Sequence, residues 1–373
     1  MRILHILQRD DPKTGGALRV AQALAREQRL AGHDVWHLFL YGQAGKISQE
    51  FAPHVLWLGL VSSRQAWRGV LMLWRAVREL HPDVIHCHDG IIWPRIAFLC
   101  RKAPLVMHGH LPPLEGKCIK GFLGWPFLKY TTDLLIGISN YTCNAWSARG
   151  LSPEKIRQIP NGVDLGRFRP IGSFQKRALR EKLGIPAKKH ILLWVGRLDR
   201  ATKGTDRVER LAGALSTDTV LVVVGDGPER SGMLIRCSDL VESGRMYMPG
   251  SSPCPEIWYQ AADAFLFTSY YEQFGLVILE ALASGLPVLG FPVTGGGAPE
   301  LLEEFNAVQV SESASMTDIA NSLEVLFSRC ESTRNLPRET FHKYTWQSAS
   351  MQIMKAYRKL TALRRPFRYD CFL

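Results

Sequence analysis

Short apolar runs recur along this chain, each leading into a polar, glycine-bearing loop and then a segment of helical periodicity. Residues 3–7 (Ile3, Leu4, His5, Ile6, Leu7) open the series, and residues 35–40, 83–86, 104–107, 134–138, 190–195, 220–224, 246–250 and 264–267 continue it. Runs this short and unbroken read as strands buried on both faces. Repeated strand–loop–helix units imply parallel α/β sheets. The first unit is explicit: a strand at 3–7, a helix at 17–30 stopped by Gly32, and a strand at 35–40. Its crossover loop lies at the carboxyl end of the strand, where ligands of such sheets bind. Gly15 and Gly16, just ahead of the helix, either let a phosphate approach the backbone or simply make a tight turn. Ser139 is placed to cap the helix after residues 134–138. His108 falls at the end of the 104–107 run, on the same ligand face.

The densest chemistry lies in residues 268–289, TSYYEQFGLVILEALASGLPVL. The pattern predicts a helix from near Phe274, closed by Gly285 in the left-handed position. Glu272 and Glu280 stand eight residues apart. Eight residues of helix advance about 12 Å and turn roughly 80° beyond two full turns, so both carboxylates can face one cleft at different depths. Between them the amides of Phe274, Gly275 and Leu276 point out of the helix start, where phosphate or sugar hydroxyls are attracted.

With 373 residues, 46% hydrophobic and 21% charged, the chain suits two domains of ordinary size. The net charge of +12 suggests an anionic partner: a nucleotide diphosphate, an anionic membrane surface or nucleic acid. No zinc spacing, RNA-binding signature or long basic run is present, so nucleic acid is not expected. The cysteines show no Cys-x-x-Cys and read as reduced thiols. No signal peptide and no run of ~20 apolar residues is read, which leads to an expectation of a cytoplasmic location. There is no Asp-x-Asp to hold a metal against a diphosphate.

Glu272 and Glu280, with the Phe274–Gly275 step, the following EALASG-PV run and the Gly295, Gly296, Glu300 element, resemble the retaining nucleotide-sugar glycosyltransferases of family 4, which have the GT-B fold. Asn161-Gly162-Val163-Asp164 and Gly196-Arg197-Leu198 followed by Lys203-Gly204 resemble two further elements of that family. The resemblance implies two Rossmann-like domains, residues 1–165 and 186–345, with a C-terminal helix at 346–363 crossing back to the first. It places the donor mostly on the second domain and the acceptor on the first. His108 would contact the donor sugar, Gly15 and Gly16 would lie near the donor phosphates, and Phe274, Gly275 and Leu276 would meet sugar and phosphate. Glu280 would bind ribose hydroxyls, and Glu272 would position the sugar or stabilise its developing positive charge. Arg197 and Lys203 fit the physics of the leaving group: charge grows on the departing diphosphate, and fixed cations aimed there lower the barrier. No metal and no cofactor beyond the nucleotide-sugar donor is expected. UDP is the expected nucleotide and a saccharide or lipid-linked saccharide the expected acceptor, in cell-surface polysaccharide or glycoconjugate synthesis. Gln273 stands where the family commonly has Gly, which bears on the choice of sugar. The alternative on the same scaffold is a sugar-nucleotide epimerase; a basic nucleic-acid-binding module is the non-enzymatic reading.

Two segments mix basic and aromatic residues as headgroup-boundary segments do. In residues 63–80, Trp67, Leu71 and Trp74 fall on one helical face, flanked by Arg64, Arg68, Arg75 and Arg78. In residues 117–130, Lys117, Lys120 and Lys129 alternate with Phe122, Trp125, Phe127 and Tyr130. The Trp67 face either packs on its own sheet or meets a membrane, and peripheral association with an anionic inner membrane face is the expectation tied to a lipid-linked acceptor.

Overall fold

The computed structural model describes residues 1–11, 16–61, 65–88, 103–113, 126 and 128–363, with backbone alone at 46, 47 and 66. The chain divides into two compact units, Met1–Asn161 with Trp346–Leu373, and Gly162–Thr345.

In the first unit seven strands form one sheet: β1 (Arg2–Leu7), β2 (Asp34–Tyr41), β3 (Val55–Leu60), β4 (Val84–Cys87), β5 (Leu105–Gly109), β6 (Leu134–Gly137) and β7 (Ile156–Gln158). Their order is β3-β2-β1-β4-β5-β6-β7, and every pairing is parallel. The chain winds outward from β1 to β3 and then returns to β4 on the other side of β1, so β1 and β4 flank the switch point. The opening helix Gly16–Leu30 buries Leu18, Ala21, Leu24, Ala25 and Gln28, and the closing helix Trp346–Leu363 packs against it through a face that includes Ile353, Met354 and Tyr357.

The second unit repeats the plan with β8 (His190–Val195), β9 (Thr219–Val224), β10 (Met246–Gly250), β11 (Ala264–Phe267), β12 (Val288–Gly290) and β13 (Val308–Gln309). The order is β10-β9-β8-β11-β12-β13, again parallel throughout. Leu192, Leu221, Val223, Leu266 and Leu289 form a fully buried core on one face of it. The switch point falls between β8 and β11.

The structure departs from the sequence reading in two places. The helix after β11 begins at Leu276, not near Phe274, because Gly275 has φ 90° and interrupts the helical path. His108 lies within β5, not after it. Lys176 and Arg180 of the helix Ser173–Leu183 are buried and each holds an oxygen of Asp263 at 2.6 Å. Beyond Glu300 lies the helix Met316–Ser328, capped by Ser315, whose hydroxyl accepts from the Asp318 amide. Among the described residues no helix is long and apolar enough to cross a membrane.

Candidate functional site

The β8 and β11 loops meet over the carboxyl end of the second sheet. After β8, Gly196 and Leu198 are held by the loop after β9: the Gly196 amide donates to the Val224 carbonyl at 3.0 Å and the Leu198 amide to the Asp226 carbonyl at 3.0 Å. A Cβ on Gly225 would sit 1.8 Å from the Gly196 carbonyl oxygen, and one on Gly227 2.3 Å from that of Leu198. The glycines therefore serve loop-to-loop approach, and Arg197 is left exposed between two fixed neighbours. Asp199 then caps the turn Arg200–Lys203, and Gly204, at φ 63°, passes so close to Thr268 that a Cβ would lie 2.2 Å from its carbonyl oxygen. Thr268 ties three pieces together, its hydroxyl donating to the Lys203 carbonyl at 2.7 Å and accepting from the Trp194 indole at 2.9 Å.

This framework brings the Lys203 ammonium onto the Glu272 carboxylate in a half-buried ion pair. Glu272 is fixed from its other side by the glycine run 295–297: its amide donates to the Gly295 carbonyl at 3.1 Å, and the Ala298 amide donates to its carbonyl at 3.3 Å. Gly296, at φ 112°, allows that clasp, since a Cβ there would lie 1.9 Å from the Glu272 carbonyl oxygen. Gly275 then turns the chain into the helix Leu276–Ala283, whose first amides have no intrahelical acceptors. Phe274 is buried beside Tyr344. One helical turn further in, Glu280 accepts a 2.8 Å hydrogen bond from the hydroxyl of Tyr259. Gln273 donates to the Tyr271 hydroxyl. The second unit thus gathers Lys203, Glu272, Phe274, Gly275, Leu276 and Glu280 around one turn, with Arg197 on the neighbouring strand end.

In the first unit Gly16 begins the opening helix with open space where a Cβ would be; Gly15 lies outside the described residues. His108 is one member of a histidine cluster. His5 of β1 stands opposite His37 of β2 and His86 of β4, and alternation along the strands puts His88 and His110 on the same face as His86 and His108. His5, His37, His86, His88 and His108 are at most 2% exposed. Burial pushes His5 down from 6.5 to about 4 and His110 to about 3. At His37, His86, His88 and His108 burial, reinforced by neighbouring histidines, pushes the imidazole well below its ordinary value. All six are neutral at physiological pH.

Two family models account for most of the chain: Glycosyltransferase Family 4 matches residues 14–167, and Glycosyl transferases group 1 matches residues 175–341. The chain belongs to the group 1, family 4 glycosyltransferases. Among curated relatives, D-inositol 3-phosphate glycosyltransferase 2 of Catenulispora acidiphila is 36% identical over 160 residues, covering 39% of this chain and 36% of the relative. D-inositol 3-phosphate glycosyltransferase of Xylanimonas cellulosilytica is 29% identical over 230 residues, covering 59% of this chain and 54% of the relative. The matched part of the chain thus spans between 36% and 54% of the length of these two relatives. Among solved structures, Anabaena HepE in complex with UDP superposes with a TM-score of 0.80 at 21% identity, over 96% of this chain and 100% of that one. The same protein with UDP-glucose gives 0.79 at 20% identity, over 96% and 100% of the two chains. The fold is therefore GT-B.

For this glycosyltransferase chain, sequence reasoning missed Tyr259, Thr268 and the cluster around His108. Tyr259 carries no motif; it is found only because its helix, Glu256–Ala261, packs beside the one bearing Glu280. The cluster did leave a trace, two His-x-His steps at strand spacing, His86/His88 and His108/His110. The helix Ala66–Leu80 does not pack its Trp67 face on its own sheet. Its sheet-facing side is Leu73 and Leu80, with Val70, Ala76 and Val77 packed behind them. Trp67, Leu71 and Trp74 stay 68%, 53% and 40% exposed. Arg68, Arg75 and Arg78 are exposed with them, Arg78 stacking over the Trp74 ring at 5.1 Å. Arg64 and most of residues 117–130, including Lys117, Lys120, Phe122, Trp125 and Phe127, lie outside the described residues.

Proposed function

We propose that this chain transfers a hexose-type sugar from a nucleotide-diphosphate sugar to a saccharide or lipid-linked saccharide, retaining anomeric configuration and using fixed cations in place of a metal at the diphosphate. The observation that carries the proposal is the meeting of Lys203 and Glu272 at the switch point between β8 and β11, one turn from Glu280. Lys203 is a point charge suited to a diphosphate, and Arg197 offers paired hydrogen bonds beside it. A bound diphosphate gives Lys203 a partner of higher charge than Glu272, and the released carboxylate then faces the sugar. Glu280, pre-aimed by Tyr259, takes ribose hydroxyls. His108 is the group assigned to touch the transferred sugar. UDP and UDP-glucose, the ligands named with HepE, are the first candidates for the donor. A thermal-shift screen of nucleoside diphosphates tests the reading. A true ligand at 100 times its dissociation constant stabilises the fold by about 2.7 kcal/mol; no shift with any nucleoside diphosphate or its sugar conjugate overturns it.

The acceptor side of the proposal is a membrane one. The Trp67, Leu71 and Trp74 face with Arg68, Arg75 and Arg78 combines an apolar surface with positive charge, as an anionic bilayer surface requires. The location that follows is peripheral, on a cytoplasmic membrane face, in surface polysaccharide or glycoconjugate synthesis.

A further inference from the structure

The histidines of the first unit form two hydrogen-bonded ribbons with defined ends. In one, His5 Nε2 meets Gln28 Oε1 at 2.8 Å, His5 Nδ1 meets His88 Nε2 at 2.8 Å, and His88 Nδ1 meets His110 Nε2 at 3.1 Å. In the other, the Tyr357 hydroxyl meets His86 Nδ1, and His86 Nε2 meets His108 Nδ1 at 3.1 Å. Nε2 of His108 is buried with no partner among the described residues. Ring centroids along the ribbons are 5.0 to 5.4 Å apart, the separation of rings meeting edge to edge through one hydrogen bond. The ribbons lie on each other, His86 over His88 at 4.5 Å and 2°, His108 over His110 at 4.3 Å and 10°.

Hydrogen bonds account for these contacts at their observed lengths. Two trios, His5/His86/His88 and His88/His108/His110, bring ligand nitrogens within 4.8 Å of one another. Two nitrogens on one tetrahedral zinc, at bond lengths of 2.0–2.1 Å, keep about 3.3 Å apart, and the ribbon contacts are shorter, at 2.8 to 3.1 Å.

A neutral imidazole has one N–H and one bare nitrogen. A ribbon of them therefore has only two fully bonded proton arrangements, running one way or the other, and the end group selects between them. At the Gln28 end the carbonyl oxygen accepts, so each N–H points toward Gln28 and His110 ends with a bare Nδ1. At the Tyr357 end the group is a phenol. Burial pushes its pKa above the ordinary value, so it keeps its proton, and a phenol O–H donates far better to an imidazole nitrogen than its oxygen accepts. His86 then carries its proton on Nε2 and donates to His108 Nδ1, which forces the His108 proton onto Nε2, the nitrogen without a partner.

We propose that Tyr357 and His86 are positioning residues that hold His108 as its Nε2–H tautomer, so that this buried histidine presents a hydrogen-bond donor to a hydroxyl oxygen of the transferred sugar. The proton arrangement follows from the first unit alone; only the identity of the acceptor oxygen rests on the transferase reading. The closing helix, through Tyr357, thereby sets the chemistry at the end of β5.

The test uses the full chain labelled with 15N-histidine. Long-range proton–nitrogen correlation distinguishes N–H from bare ring nitrogens in the ligand-free protein, with His108 assigned by substitution. The expected wild-type result is a proton on Nε2 of His108, moved wholly or partly to Nδ1 in Tyr357→Phe. With donor and acceptor, Tyr357→Phe should lower kcat about tenfold to a hundredfold, less than the ~10²–10³ lost when a transition-state donor is removed outright. His86→Gln, whose amide accepts from the phenol and donates onward, should stay within a few-fold of wild type, while His86→Leu falls with Tyr357→Phe. If Tyr357→Phe does not fold, the Gln and Leu pair at matched melting temperature carries the comparison. A wild-type His108 protonated on Nδ1, an unmoved proton and turnover in the variants, equal loss in Gln and Leu, or zinc or copper found bound to the ribbons overturns the proposal. Absence of transfer by the wild type with every donor defeats the transferase reading instead, and the ligand-free spectrum still decides the ribbon.

Discussion

Lowering the pH from 8 to 5 should destabilise this protein through its buried histidines. A histidine held below its unfolded value leaves the unfolded state binding more protons, so stability is full above pH 6.5 and falls as pH drops toward the folded value. For His5, moved from 6.5 to about 4, the loss between pH 6.5 and 5 is about 2 kcal/mol, at 1.36 kcal/mol per unit. His37, His86, His88 and His108 are pushed down in the same sense by burial and by one another. Their losses have the same sign as that of His5, so the stability of the first unit should fall between pH 6.5 and 5 by more than one histidine accounts for. Carboxylates enter only at more acid pH: burial works to raise Asp263, Lys176 and Arg180 outweigh it, and its contribution is lost below 3.8. The assay is urea unfolding followed by circular dichroism at half-unit steps from pH 8 to 5. The slope below pH 6.5 counts histidines at about 1.4 kcal/mol per pH unit each. His37, neither of whose ring nitrogens has a partner among the described residues, provides the control: His37→Leu should flatten the slope by one group. A wild-type slope equal to that of one histidine or less, or a flat profile to pH 5, would refute the argument.

Three other outcomes follow. Tyr259→Phe removes the hydrogen bond that orients Glu280; a bond to a charged group contributes about 1.5–3 kcal/mol, so nucleotide affinity measured by calorimetry should fall roughly tenfold or more, as it should in Glu280→Ala, and unchanged affinity in both would remove Glu280 from the nucleotide site. Gly296→Ala places a Cβ 1.9 Å from the Glu272 carbonyl oxygen at φ 112°, so it should destabilise by more than about 1 kcal/mol and displace the Glu272 loop, read as a lower melting temperature with turnover lost; a variant as stable and active as wild type would show the clasp to be irrelevant. Vesicle flotation should carry the protein up with anionic lipid at low salt and release it toward 1 M salt, where the Debye length is about 3 Å, and Trp67→Ser with Trp74→Ser should stay at the bottom; equal flotation of wild type and variant would move the membrane contact elsewhere.

The sequence showed the buried strands plainly because parallel strands covered on both faces are unbroken apolar runs. Residues 264–267 and the closing helix Trp346–Leu363 come out with the boundaries read from the pattern. Half-buried elements were harder. β3 is partly exposed at Val55, Leu56 and Trp57, and the helix Met316–Ser328 buries only Ile319, Leu323 and Leu326 within a segment whose overall polarity hides them. At the site, motif residues were legible one at a time, but their coupling was not. That Lys203 reaches Glu272 depends on Gly204 passing against Thr268, and that His86 touches both His108 and Tyr357 depends on the β4–β5 register and on a helix 271 residues away in sequence. Periodicity and spacing describe a residue's own element; these contacts belong to the packing between elements.

The most direct test of the central claim is nucleotide release coupled to product analysis. The purified full chain would be given UDP-glucose and a lipid-linked saccharide acceptor in EDTA, with UDP measured enzymatically and the anomeric configuration of the new bond read by proton NMR. UDP release should proceed in EDTA with the donor's configuration kept in the product, and turnover should fall by about 10²–10³ in Lys203→Ala, as when one transition-state donor is lost. Release that stops in EDTA and returns with magnesium, an inverted product, or wild-type turnover in Lys203→Ala would contradict that claim.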